Sequence, residues 1–409
     1  MTRHINRNNS RSILGRRRTL SSPNSIFKYI FKAVTLGAIF LAAYLFSTFT
    51  LYSKHGLSYK TRSFHNSPSD TFRLNTPHAP SCAEPIDADS ISFTLVSQLS
   101  QDRMWVLPYH CKRWGDNPMS LVIFTDEDSE AVKNKLVLEG CSKEHLTVQT
   151  VSKTRYDPHG NDYPVNMLRN LAFSEVKTTH LLYIDVDFFL SESLHSILNI
   201  QSVKERMASD AKLVTIIPAF QTSDDNISLM PKRKDELMHL IKEGQAGMFN
   251  PESRGGHTST RYISWNDQTD GSYLDLPCIK SNRYEPYLAL RYCSELPPFQ
   301  EGFSGYSKNK ITWAMQLRRS GYQFSQLGGA FLVHYPHSFS QSKLEWKKKP
   351  EDWQKVDTVD LMMYKRARMD ELFLDFKDWL RENVTDTSRV PMCKKALNDD
   401  VTLLVHRDP

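Results

Sequence analysis

The stretch HLLYIDVDFFL, residues 180–190, decides how the chain is read. Its apolar flanks read as one buried strand. Two acids with one residue between them share a side of a strand, because successive side chains alternate. Where such a strand opens into a turn, Asp185 and Asp187 can hold a hard divalent cation that also takes two phosphate oxygens. A cation so placed neutralises the charge that develops on a diphosphate leaving group. An Asp-x-Asp pair is common by chance. This one gains weight from the buried strand before it, since unpaired carboxylates are costly to bury.

Working outward, strands and helices alternate. ISFTLVSQL (91–99), MSLVIFTDE (119–127), HLTVQTV (145–151) and KLVTIIPAFQ (212–221) read as further strands. DRMWVLPYHCKRW, SEAVKNKLVLEG, PVNMLRNLAFSEVK (164–177) and SESLHSILNI read as helices between them. That alternation predicts an α/β body on a mostly parallel sheet covered on both faces. Ligands of such sheets bind beyond the carboxyl ends of the strands, where Asp126, Asp185, Asp187 and Gln221 fall. No GxGxxG or GxxxxGK[ST] occurs, so a dinucleotide fold or P-loop NTPase lacks its phosphate cradle.

A second constellation lies at residues 284–337. The Pro297-Pro298 pair, Gly302 and Gly305 mark a loop, KNKITWAMQLRRSGY reads as a helix stopped by Gly321, and GGAFLVHYPH reads as a buried strand ending in His334 and His337. A histidine at a strand end can complete a metal shell that two aspartates begin, or it can be purely structural.

The amino terminus sets the context. Residues 33–53 carry no charge over 21 residues, the length of a membrane-spanning helix. Eight Lys or Arg and no acid precede them. Positive flanks stay cytoplasmic, so residues 1–32 are expected to be a cytoplasmic tail, 33–53 a single anchor and everything beyond lumenal. Residues 54–90 are polar and rich in Ser, Pro, Thr, Asn and His, as a stem is. Past residue 32 the chain holds 44 basic and 46 acidic residues, which excludes a general nucleic-acid binder. The mean hydropathy of −0.48 excludes a polytopic membrane protein. All six cysteines lie beyond the anchor, where oxidising conditions favour disulfides, although six cysteines allow 15 pairings. Asn226-Ile-Ser228 and Asn383-Val-Thr385 are glycosylation sequons that fit a lumenal body.

Taken in order, YPVNMLRNLAF (163–173), LLYIDVDFFLSESL, YEPYLALR, FQEGFSGYSKNKITWAMQL and AFLVHYPH resemble glycosyltransferase family 49, which includes LARGE-type xylosyl/glucuronyltransferases and the β-1,4-glucuronyltransferase of dystroglycan glycan synthesis. The resemblance covers about residues 91–340. It implies a GT-A type nucleotide-sugar-binding fold with a Rossmann-like mixed sheet, a UDP-sugar donor, manganese, a glycan or glycoprotein acceptor, inversion at the sugar, and a Golgi type II setting. It places the catalytic domain at 91–340 and a helical extension at 341–409; the anchor or stem could support an oligomer. By position it assigns Asp185 and Asp187 to the metal with His334 and His337, one of which is to be the third protein ligand, and Arg103, Arg169, Asn170 and Asp185 to the donor. A surface charge on a helix is the plain alternative for Arg169.

One departure bears on catalysis. The family's acidic stretch resembles Asp-Glu-Arg-Phe, where this chain has Gln300-Glu301-Gly302-Phe303. Inverting transfer needs a carboxylate to accept the acceptor's hydroxyl proton. Glu301 is the acid left in that segment and is the expected catalytic base, with Glu295 and Asp270 behind it. The competing readings are a non-catalytic type II surface lectin on the same fold and a transferase using UDP-galactose or UDP-N-acetylglucosamine.

Overall fold

The computed structural model describes residues 72–73, 79–156, 163–253, 255–340, 343–344, 346 and 359–394. The expected tail and anchor, and most of the stem, lie outside the described residues. Among the described residues no helix is long and apolar enough to cross a membrane.

Among the described residues twelve strands form two sheets. The first holds β1 (Phe93–Ser100), β2 (Met119–Phe124), β3 (Leu146–Val151), β4 (His180–Tyr183), β6 (Leu213–Ile217), β9 (Tyr273–Asp275), β10 (Tyr287–Arg291) and β11 (Gln323–Leu327), in the order β3-β2-β1-β4-β10-β6-β11-β9. The second holds β5 (Phe188–Leu190), β7 (Ala219–Thr222), β8 (Ala246–Met248) and β12 (Leu332–His334), in the order β5-β12-β7-β8. β3, β2, β1 and β4 run parallel. β10 runs antiparallel between β4 and β6, and β9 antiparallel to β11. The architecture is therefore a mixed α/β sheet: six of the eight strands of the first sheet point the same way, as the expectation of a mostly parallel sheet had it, and β9 and β10 oppose them.

Two segments expected to be single strands are each divided between the sheets. In 212–221 the division is at Pro218, which has no N–H to give to a ladder. Its carbonyl accepts from Leu332 N at 2.9 Å, which docks β12 beside the crossing. In 180–190 the chain turns after Ile184, with Phe188 N donating to Asp185 O at 3.1 Å. Asp185 and Asp187 therefore lie on this turn and not on one strand face.

Helices α1 (Leu107–Trp114), α2 (Ser129–Leu138), α3 (Val165–Ser174), α4 (Asn309–Arg319) and α5 (Val359–Asn383) flank the sheets with shorter helices. Asp128 caps α2 by accepting from Glu130 N and Ala131 N. Period-two alternation sends Phe93, Leu95, Leu121, Ile123 and Leu182 into one core. Val96, Val122, Leu181, Tyr183 and Leu288 go into a second core on the other face, with α3 and α4. A smaller third core joins Phe72 and Phe303 to Met369, Phe376, Trp379 and Leu380 of α5.

Three disulfides form: Cys82–Cys293, Cys111–Cys141 and Cys278–Cys393. Two of them join the span expected to be the catalytic domain, 91–340, to residues on either side of it. The end of the expected stem and the described parts of the expected extension are thus packed or bonded onto the body.

Candidate active site

The site is built where the two sheets meet, around the turn that carries Asp185 and Asp187. The turn is held from behind: Ser97 Oγ donates to Ile184 O at 3.0 Å, and His110 Nε2 lies 2.7 Å from Val186 O. Burial lowers the His110 pKa to about 4, so this ring is neutral and donates to the carbonyl.

Asp185 turns toward the large sheet. One oxygen accepts from Arg169 at 3.0 Å and from the Tyr183 hydroxyl. The other accepts from Lys310 Nζ at 2.7 Å and from the Tyr287 hydroxyl at 2.9 Å. Lys310 also reaches the Tyr287 hydroxyl at 2.8 Å. Burial pushes the Asp185 carboxyl up, but Lys310 and Arg169 outweigh it and hold the group well below the usual carboxylate range. Arg169 is 4% exposed, stacks on Tyr183 and Phe299, and receives orientation from Asn166 at 2.8 Å. It is a buried partner of the first aspartate and not a helix-surface charge. On the large-sheet side the ring of His257 stacks over Tyr287, and burial lowers its pKa to about 3.

Asp187 turns toward the small sheet. One of its oxygens lies 2.7 Å from His337 Nε2 and 3.4 Å from His334 Nε2. Here too burial pushes the carboxyl up, and the two imidazole contacts overcome it and hold the group low. His334 is set by the register of β12, where it pairs with Phe188 of β5 and Gln221 of β7. The ligand atoms of Asp187, His334 and His337 all lie within 4.8 Å of one another. Two imidazoles and one carboxylate on one side of a point suit a divalent transition metal with positions left open. Asp185 is not in this group, so the expectation that both aspartates grip one ion is not what the geometry brings together.

Arg103 belongs to the histidine side as well. Its guanidinium is 2.9 Å from His337 Nδ1 and 3.3 Å from Ser338 O, while that same Nδ1 is 2.6 Å from Ser338 O. When Nδ1 accepts from Arg103, Nε2 carries the proton and donates to Asp187. To bind a cation through Nε2 the ring must adopt the other tautomer, with Nδ1–H donating to Ser338 O.

The remaining candidates form a third group. Asn170 of α3 donates to Phe299 O at 2.8 Å and to Glu301 Oε1 at 2.9 Å, and accepts from Phe299 N. Glu301 is exposed and spends one oxygen on fastening its loop to α3. Gln300 is 1% exposed and bonds Arg73 N, Arg73 O and Gln316. The position where the family's first acid was expected is thus a buried structural amide.

Sequence reasoning missed Tyr183, Tyr287, Lys310, His257 and Glu285. Tyr287 and Glu285 lie in YEPYLALR and Lys310 opens α4, but Tyr287 and Lys310 meet Asp185 from 102 and 125 residues away, and Glu285 and Asp185 only feel each other's charge. No local pattern announces that.

The family described as glycosyl-transferase for dystroglycan matches residues 133–359, more than half of the chain. The chain is 31% identical over 252 residues to the xylosyl- and glucuronyltransferase LARGE1 of Mus musculus, covering 61% of this chain and 32% of that protein. It is 32% identical over 258 residues to LARGE2s of Danio rerio, covering 62% and 33%. With LARGE2 of Mus musculus it is 31% identical over 281 residues, covering 67% and 38%. The match therefore spans about a third of the length of these curated relatives. Solved structures are remote: GalNAc-T7 with UDP, GalNAc and Mn2+ has a TM-score of 0.34 at 10% identity, covering 71% of this chain and 58% of that one, a level from which no shared fold follows.

Proposed function

The chain belongs to glycosyltransferase family 49, and from that premise we propose that it transfers a sugar, glucuronic acid or xylose, from a UDP-sugar to a glycan acceptor with inversion, on a GT-A type fold. In this reading it is a type II Golgi enzyme, anchored by residues 33–53 with its body lumenal. The six paired cysteines support an oxidising compartment.

The observation that carries the reading is the meeting of Asp187, His334 and His337 at the seam between the sheets. These three residues would hold a divalent cation, manganese by family resemblance. When bound, such a cation supplies positive charge against the diphosphate of the leaving group. The chain's own part is to place the donor beside it. Asp185, clasped by Lys310 and Arg169, sets the floor on the large-sheet side, and Arg103 stands ready beside His337 to meet an anion. Asn170 and Glu301 hold the loop that leads to α4.

Calorimetry of UDP binding with and without manganese tests this. The wild type is expected to bind UDP only when manganese is present, and Asp187→Asn to lose that binding together with roughly a thousandfold or more of its transfer rate. UDP affinity independent of manganese overturns the assignment. The lectin reading rested on the altered Gln300–Gly302 segment, and of that segment Gln300 is a buried packing amide.

A further inference from the structure

We propose that Glu285 is the general base that accepts the proton of the attacking acceptor hydroxyl, an assignment that rests on the transferase reading above. Glu285 lies two residues before Tyr287, the residue whose hydroxyl joins Asp185 to Lys310. Its backbone is fixed, with its N–H donating to Gly256 O at 2.7 Å. Lys310 of α4 and Asp185 of the turn meet at Tyr287, two residues along from Glu285, and their charges and that of Arg169 of α3 act on it. Tyr306, an exposed aromatic of the loop before α4, is close enough to feel its charge. Tyr306 in turn packs against Trp346 at 6.1 Å between centroids, a pair of aromatic faces of the kind a sugar ring stacks on.

The other acids of the site are occupied. Asp185 has four donors, Asp187 has two histidines and Glu301 has Asn170. Among the described residues no side chain hydrogen-bonds or pairs with the Glu285 carboxylate. Burial raises its pKa, and Lys310 and Arg169 counter this only in part. A carboxylate shifted toward neutral pH is a stronger proton acceptor than an ordinary one.

The step balances as follows. The acceptor oxygen forms a bond to the anomeric carbon, and that carbon's bond to the β-phosphate oxygen breaks with its electron pair leaving on UDP. The hydroxyl proton passes to Glu285, which returns it to water after product release.

The test uses the full chain with manganese and UDP-glucuronic acid or UDP-xylose. UDP release is followed with water or with methyl β-xyloside and methyl β-glucuronide as acceptor probes. Glu285→Gln is expected to lower kcat by roughly a hundred- to ten-thousandfold while manganese-dependent UDP affinity stays within about threefold of wild type. Glu285→Ala is expected to regain part of its rate with added formate, which a merely structural role would not allow. A Glu285→Gln rate within about fivefold of wild type overturns the assignment, as does a parallel loss of UDP affinity or an absence of formate rescue. A wild type that neither binds UDP with manganese nor turns over either donor sinks the transferase reading itself, and the Glu285 assignment with it.

Discussion

Asp185 and Asp187 carry the same functional group two residues apart, yet they live in opposite chemical settings. Asp185 faces the large sheet and is saturated by the chain's own donors: a guanidinium, an ammonium and two phenols. Asp187 faces the small sheet and meets two imidazoles that can equally serve a metal. The difference is made by one turn, which sends each side chain to a different sheet. It teaches that one half of an Asp-x-Asp pair can be an internal electrostatic anchor while the other half is left among groups that could share a cation.

Three measurements break or sharpen that contrast, beginning with the largest effect. Asp185→Asn leaves Lys310 and Arg169 buried without their counter-charge, so denaturant unfolding should show a loss of about 3–5 kcal/mol. Asp187→Asn, which strands no buried cation, should cost far less stability. Equal losses would merge the two sides into one electrostatic unit.

Acid should act next. His110 at the turn and His257 over Tyr287 have pKa values lowered by burial to about 4 and about 3, and His180 of β4 is likewise lowered to about 3. Their ordinary value is 6.5, so below it the unfolded chain binds protons that the folded chain refuses. Stability therefore falls as pH drops from 6.5 toward 4, by up to about 1.4 kcal/mol per unit for each ring. Melting temperatures across that range check it, and a flat profile would mean these rings protonate in place. The loss should be shared by Asp187→Asn, because the three rings are neutral irrespective of the second aspartate.

Glu301→Gln should have the smallest effect. Gln keeps an oxygen for the Asn170 amide, so the loop stays fastened and transfer should fall by less than about tenfold, or about 1.4 kcal/mol. A loss of a hundredfold or more would return the base to Glu301 and place a working carboxylate on neither side of the turn.

Much of this was legible in advance where physics is local. The apolar runs at 93–100 and 119–124 read as strands because they are buried on both faces, and the half-buried edge run at 146–151 because of its recurring Thr and Val. The Met-Leu-Arg-Asn helix was legible from its spacing, and the histidines at the end of β12 from their place after a buried run. Direction and division were not. β10 enters antiparallel between β4 and β6 from more than a hundred residues downstream of β4, and nothing within Tyr287–Arg291 states which way it will run. The break at Pro218 could have been read from its missing N–H. The break at Asp185 could not, because neither Gly nor Pro marks it and Phe188 N closes it only once the two sheets are in place. Lys310 was quoted in the sequence without a role, since its partner lies 125 residues away.

The disulfides bear on how the protein can be handled. Cys278 and Cys293 bracket Glu285 and Tyr287, and each is bonded to a flank of the chain, Cys393 on one side and Cys82 on the other. The segment is like a string pinned at both ends, with the site in its middle. A recombinant version trimmed to residues 91–340 would cut away both pins and leave two unpaired thiols on either side of the reactive carboxylate, open to exchange with each other or with Cys111 and Cys141. An active preparation should begin before Cys82 and end beyond Cys393, and a reductant in its buffer would undo the same arrangement without cutting the chain.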